Sequence, residues 1–82
     1  MTANQIQTYV DAEPFRPFRI HMVSGRTFDV RHPEMIRVGR STALVFSFSQ
    51  NEERFFEQVE MLGLLLIESI SYLDTAVASS GS

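Results

Sequence analysis

Apolar and polar residues alternate through Phe18-Arg19-Ile20-His21-Met22 and again through Thr27-Phe28-Asp29-Val30-Arg31. A period of two is that of a strand with one buried face. Ser24-Gly25 lies between the runs, so the stretch predicts a β-hairpin. A two-residue loop would set His21 opposite Phe28 and mix polar and apolar residues on each face. A type I turn with Gly25 in a left-handed bulge instead sets Ile20 opposite Phe28, Phe18 opposite Val30 and Arg19 opposite Asp29. One face is then apolar and the other polar, and this is the expected register.

The pattern elsewhere extends the same architecture. Thr2 is a candidate N-cap, and Ile6, Tyr9 and Val10 give a helical stripe over about residues 3–12, which Pro14 ends. Such a helix is too short to stand alone and must pack on the sheet. Pro14 and Pro17 hold the chain extended into the first strand. His32-Pro33-Glu34 bends, bulges or breaks the second strand, because proline cannot donate to a ladder. Ile36 and Val38 resume the alternation, and Gly39-Arg40-Ser41 is a turn. Leu44, Phe46 and Phe48 alternate with Ala43, Val45 and Ser47 in a further strand, followed by a turn at 49–52. Phe18, Ile20, Phe28, Val30, Leu44 and Phe46 are expected to share one core.

Residues 53–73 fit two periods. As a helix, Asn51 caps it, and Phe55, Val59, Leu62 and Leu66 form a stripe. As strands, the runs 53–60 and 66–72 are joined by a short helical turn at 61–65. Local periodicity leans to the helix. The β-rich context leans to strands, because a three-stranded sheet leaves two unpaired edges that further strands would cover.

Composition sets limits on this picture. Eighty-two residues make one domain, and 44% hydrophobic residues suffice for a folded globule. Residues 1–74 are expected to form a single small β-barrel-like domain, and 75–82 a disordered C-terminal tail. With no cysteine there is no disulfide framework and no thiolate metal site. The longest apolar run, 61–67, is far too short to span a bilayer. The N-terminal segment lacks the basic region and apolar core of a signal peptide. A soluble cytoplasmic protein without membrane association is expected.

Charge is unevenly placed. All seven basic residues are arginine, six of them within 16–40, while 52–74 holds six acids against Arg54 alone. Arg16, Arg19, Arg31, Arg37 and Arg40 fall on polar positions of adjacent segments. Guanidinium groups bind phosphate bidentately and stack on bases, so these five form a candidate nucleic-acid or partner face. The plainer reading is a solvated surface, or ion pairing between the two halves on folding. The net charge of −3 also argues against a nucleic-acid partner.

Other chemistry is not indicated. His21 and His32, with Asp29 and Glu34, could be read as metal ligands, but the hairpin register sets the histidines at opposite ends. No metal and no cofactor is expected. Ser24, Ser41, Ser47 and Ser49 sit in turns or on a strand, and there is no glycine-rich phosphate loop. Glu52-Glu53 are adjacent and share no face in either period. No catalytic residue is assigned, and an enzyme is not expected. Seven phenylalanines, four methionines and the 61–67 run are more apolar surface than a small bent sheet hides alone. That excess points to a self-associating homo-oligomer or another protein partner, with an open edge near 53–60 or 66–72 available for strand pairing.

The run Pro14-Phe15-Arg16-Pro17-Phe18-Arg19-Ile20-His21, then Gly25-Arg26, His32-Pro33-Glu34 and Gly39-Arg40-Ser41-Thr42, resembles a group of short bacterial proteins without an assigned activity. The likeness covers most of residues 14–71 and implies that the closing Leu65-Leu66-Ile67-Glu68-Ser69-Ile70 run is a strand. This chain carries a few more residues around 61–65 than that group. The order of elements also resembles the Sm-like fold, a short N-terminal helix followed by a strongly bent five-stranded antiparallel sheet or small barrel. That likeness implies strands near 17–23, 26–38 with a kink at Pro33, 42–48, 53–60 and 66–72. Sm-like proteins form rings and bind RNA through loop residues, none of which has a counterpart motif in this sequence. Fold is not function. The expected function is therefore a non-enzymatic, self-associating interaction module, with RNA or single-stranded nucleic-acid binding as the alternative.

Overall fold

The computed structural model describes the backbone of residues 1–51 and 54–74, and their side chains outside 48–57. The expected C-terminal tail at 75–82 and residues 52–53 lie outside the described residues; of the turn expected at 49–52, residues 49–51 are strand instead.

The turn sets the first hairpin. β1 (Phe18–Met22) and β2 (Thr27–Val30) pair antiparallel, with Phe18 opposite Val30, Arg19 opposite Asp29 and Ile20 opposite Phe28. Gly25 has φ 95° and donates its N–H to the Met22 carbonyl at 2.9 Å, while the Met22 N–H donates to the Arg26 carbonyl at 2.9 Å. This is the bulged register expected from the alternation.

Proline then divides what the sequence reads as one bent strand over 26–38. Pro33 opens a single 3-10 turn, Pro33–Met35, where its missing N–H costs no bond. β2 ends before it, and β3 (Ile36–Val38) begins after it in a different sheet. β4 (Thr42–Asn51) and β5 (Arg54–Gly63) form a long hairpin. A 3-10 turn at Leu64–Leu66 leads into β6 (Ile67–Tyr72). The result is two three-stranded antiparallel sheets, ordered β2-β1-β6 and β3-β4-β5, rather than one five-stranded sheet. Among the described residues β2 is laddered only to β1 and β3 only to β4, so no barrel closes.

Residues 54–63 and 67–72 are strands rather than parts of one helix, and the turn between them is at 64–66, not 61–65 as expected. Each residue of β5 has a partner on β4, from Arg54 opposite Asn51 to Gly63 opposite Thr42. Ladder bonds along ten residues outweigh a helical stripe whose spacing is only local.

α1 (Ala3–Val10) is closed by a capping box: Thr2 Oγ1 accepts from the Gln5 N–H at 3.2 Å, and Gln5 Oε1 accepts from the Thr2 N–H at 2.9 Å. Its stripe buries Ile6 completely and lays Tyr9 against Phe18 and Tyr72, with ring centroids 5.6 and 5.5 Å apart. Burial of a side chain like Ile6 stabilises by roughly 1.5–3 kcal/mol. No described helix is long and apolar enough to cross a membrane.

The core lies between the two sheets. Phe18, Ile20, Met22 and Val30 face Ile36, Ala43, Val45 and Leu62, and Leu64 and Ile67 close one end. Phe28 is half-buried against this cluster. Leu44 and Phe46 are not in it, contrary to the expectation from the sequence: Ala43 and Val45 point inward instead. The reason is register. Ile36 pairs with Val45 and Val38 with Ala43, while Arg37 pairs with Leu44. Turning Leu44 and Phe46 inward would carry the Arg37 guanidinium into the core with them, which costs far more than the apolar area gained.

Candidate functional site

The two sheets present outer faces of opposite character. On the first, Arg19, His21, Thr27, Asp29, Ser69 and Ser71 occupy the outward positions. Arg19 grips Asp29 with two bonds, Nε to Oδ1 at 2.7 Å and Nη2 to Oδ2 at 3.1 Å. Arg31 reaches the same carboxylate at 3.5 Å. The Arg19 hydrogen bond, aided by the nearby charges, holds the Asp29 carboxyl below the usual carboxylate range. His21 Nε2 shares a 2.8 Å hydrogen bond with Ser71 Oγ. This face is polar throughout.

The outer face of the second sheet is apolar. Strand alternation sets Leu44 beside Met61 and Phe46 beside Val59, with Arg37 at the margin next to Leu44. Met61 is 68% exposed and Val59 51%. Gly63 continues the same row, and a Cβ there would meet the Leu66 side chain at about 3.5 Å, so Leu66 lies over the glycine and extends the patch. Leu66 is 55% exposed. Its carbonyl accepts from the Val23 N–H at 2.9 Å, bringing exposed Val23 alongside. Apolar side chains thus run in one band from Phe46 to Val23, half-buried at Leu44 and Phe46 and exposed at Val59, Met61, Leu66 and Val23.

The five arginines selected from the sequence are dispersed. Arg19 and Arg31 meet at Asp29. Arg16 sits at the end of β1, bidentate to Asp74 at 2.9 and 3.3 Å and with its Cζ 3.7 Å over the Tyr72 ring. Its hydrogen bond lowers the Asp74 carboxyl and raises the guanidinium. Arg37 stands on the second sheet and donates to the carbonyls of Glu34 and Ile36 at 3.3 and 2.9 Å. Arg40 is exposed in the turn between β3 and β4. Two ion pairs, Arg16–Asp74 and Arg26–Glu60, join the basic and acidic segments of the chain.

His32 precedes the 3-10 turn at Pro33, well separated in sequence register from His21. Among the described residues no three His, Cys, Asp or Glu side chains come together as a metal site would need. The apolar row of Leu44, Phe46, Val59 and Met61 is what the sequence reading of the site missed. Its signal was the parity of Arg37, which ties Leu44 to a charged neighbour. No family model, curated protein or solved structure matches the chain.

Proposed function

We propose that this protein is a non-enzymatic, self-associating interaction module, and that copies meet through the outer face of β3-β4-β5. The observation that supports this is the row of Val59, Met61 and Leu66, exposed beside half-buried Leu44 and Phe46, on a sheet whose opposite face already fills the core. Single exposed apolar residues are ordinary, but a contiguous band on a flat sheet attracts another apolar surface. A second copy offers the same band, so the contact is self-complementary. The finer architecture we read as Sm-like, with β2 and β3 as the two limbs of one strongly bent strand.

Light scattering tests the reading directly. The protein should exceed the 9.4 kDa of a single chain at micromolar concentration. Val59→Glu combined with Met61→Glu should return it to one chain with the fold kept, because both side chains are exposed. A wild-type mass of one chain across that range would overturn the reading. A mass that rises only when single-stranded RNA is added would favour the arginine-based alternative.

A further inference from the structure

A cleft of about 290 Å³ lies between β2 and the β4-β5 hairpin, lined by Thr27, Phe28, Asp29, Val45, Ser47 and Glu60. It belongs to the inner side of the second sheet, opposite the apolar band. Its β2 wall includes residues of both parities, so the cleft runs along the edge of that strand rather than over one face. That edge is free. β2 is outermost in its sheet, and ladder bonds alternate in an antiparallel pair. Met22 bonds Arg26, so Ile20–Phe28 and Phe18–Val30 are the bonded pairs that follow. The N–H and C=O groups of Thr27 and Asp29 therefore turn away from β1, towards the cleft.

Across the gap, the inner face of β4-β5 changes character where it overhangs the core. Val45 is buried, but the next inward positions are Ser47 and Glu60, both accessible. Among the described residues lining the cleft two are acidic, Asp29 and Glu60. Arg19 holds the Asp29 carboxylate on the outer face of its sheet, so Asp29 offers the cleft its backbone and Glu60 supplies the acidic group. Arg26 reaches in from outside. Its Nη2 lies 3.3 Å from Glu60 Oε1, and its Cζ 4.9 Å from the Phe28 ring centroid. One guanidinium of this chain thus already rests on an aromatic face beside a carboxylate, the chemistry that receives a basic side chain. The Arg26–Glu60 pair is exposed and long, and such a pair exchanges readily.

We propose that the free edge of β2 receives an extended peptide segment carrying a basic side chain. The segment adds as a fourth strand on Thr27 and Asp29. Its arginine or lysine displaces Arg26 from Phe28 and Glu60. Main-chain bonds supply the docking, and the Glu60 carboxylate selects the charge. This site is independent of the self-association face, and one can fail without the other.

Fluorescence anisotropy with a short capped peptide of alternating valine and arginine tests it, beside its valine–glutamate counterpart and N-acetyl-argininamide. The valine–arginine peptide should bind, and the glutamate peptide should bind at least about tenfold more weakly. Glu60→Gln should weaken binding by a similar factor, whereas Glu68→Gln on β6 should not. Arg26→Ala, which removes the internal competitor, should tighten it. Thr27→Pro removes an N–H that no ladder bond uses, and should weaken binding while circular dichroism shows the fold intact. Unchanged affinity in Glu60→Gln would overturn the proposal, as would loss of affinity in Arg26→Ala. N-acetyl-argininamide binding as tightly as the peptide would overturn strand addition. So would no peptide binding to either wild type or Arg26→Ala.

Discussion

Val45 and Phe46 are neighbours in β4 that face opposite worlds: Val45 is 4% exposed inside the core, and Phe46 stands outside beside Val59. The pair gives a sharp test of the register. Val45→Asp places an unpaired carboxylate among Ile36 and the β1 side chains, a change large against the roughly 5–15 kcal/mol that holds a domain together. It should abolish cooperative thermal unfolding. Phe46→Ser, at a half-buried position on the outer face, should cost less and leave a cooperative transition. The reverse ranking would mean that β4 sits one residue out of register.

Ile20 is fully buried at the centre of β1. Ile20→Ala should cost roughly 2–5 kcal/mol, measured from urea midpoints. Arg19→Ala, one position along on the polar face, should shift the midpoint far less. Equal shifts would contradict the two-faced hairpin.

Gly25 holds φ 95° with open space where a Cβ would stand. Substitution there is strained through the backbone alone. Gly25→Ala should destabilise by about 1 kcal/mol or more, and Gly25→Asn by less, since asparagine tolerates the left-handed region. A neutral alanine variant would rule out the bulged turn.

Asp29 gives the acid limb of stability a definite sign. Its folded carboxyl titrates below the unfolded one because Arg19 bonds the charged form. The stabilisation is fully present above the ordinary carboxylate pKa of about 4, and is lost as pH falls through the lower folded value. Asp29→Asn should therefore lower the urea midpoint at neutral pH and converge with wild type in strong acid. A difference that persists at low pH would mean that packing, not charge, is what the substitution disturbs.

Salt separates the two functional readings. Contact through Phe46, Val59, Met61 and Leu66 should hold or tighten as ionic strength rises, because apolar burial is not screened. Nucleic-acid binding by arginines must weaken steeply under the same change. Sedimentation of the protein alone and with a generic single strand, over a salt series, reads both.

The hairpin was legible because its signals are local. Gly25 names the turn, and only one register separates Phe18 and Ile20 from Arg19 and His21. Thr2 with Gln5 made the helix start equally plain. β4 was not legible from its own residues, since Ala43-Val45 and Leu44-Phe46 are both apolar rows. The choice rests on Arg37, a residue of another strand. β5 and the turn after it carry Phe55, Val59, Leu62 and Leu66 at helical spacing, and only pairing with β4 overrides that. Pro33 announced an interruption without saying that the chain would change sheets there. The arginine positions were correctly polar, but their partners Asp29 and Asp74 are settled by tertiary contact. The apolar surface was hidden for the same reason as the face of β4.

The opposed outer faces also limit how far assembly can go. A molecule with one dry side and one wet side can hide the dry side once, against a single neighbour turned to meet it. What then faces outward is the hydroxyl, imidazole and ion-paired surface of Ser69, Ser71, His21, Arg19 and Asp29, which water satisfies as well as protein does. Growth by stacking has no second dry side to continue from. The expected end point is a closed pair, not a fibre.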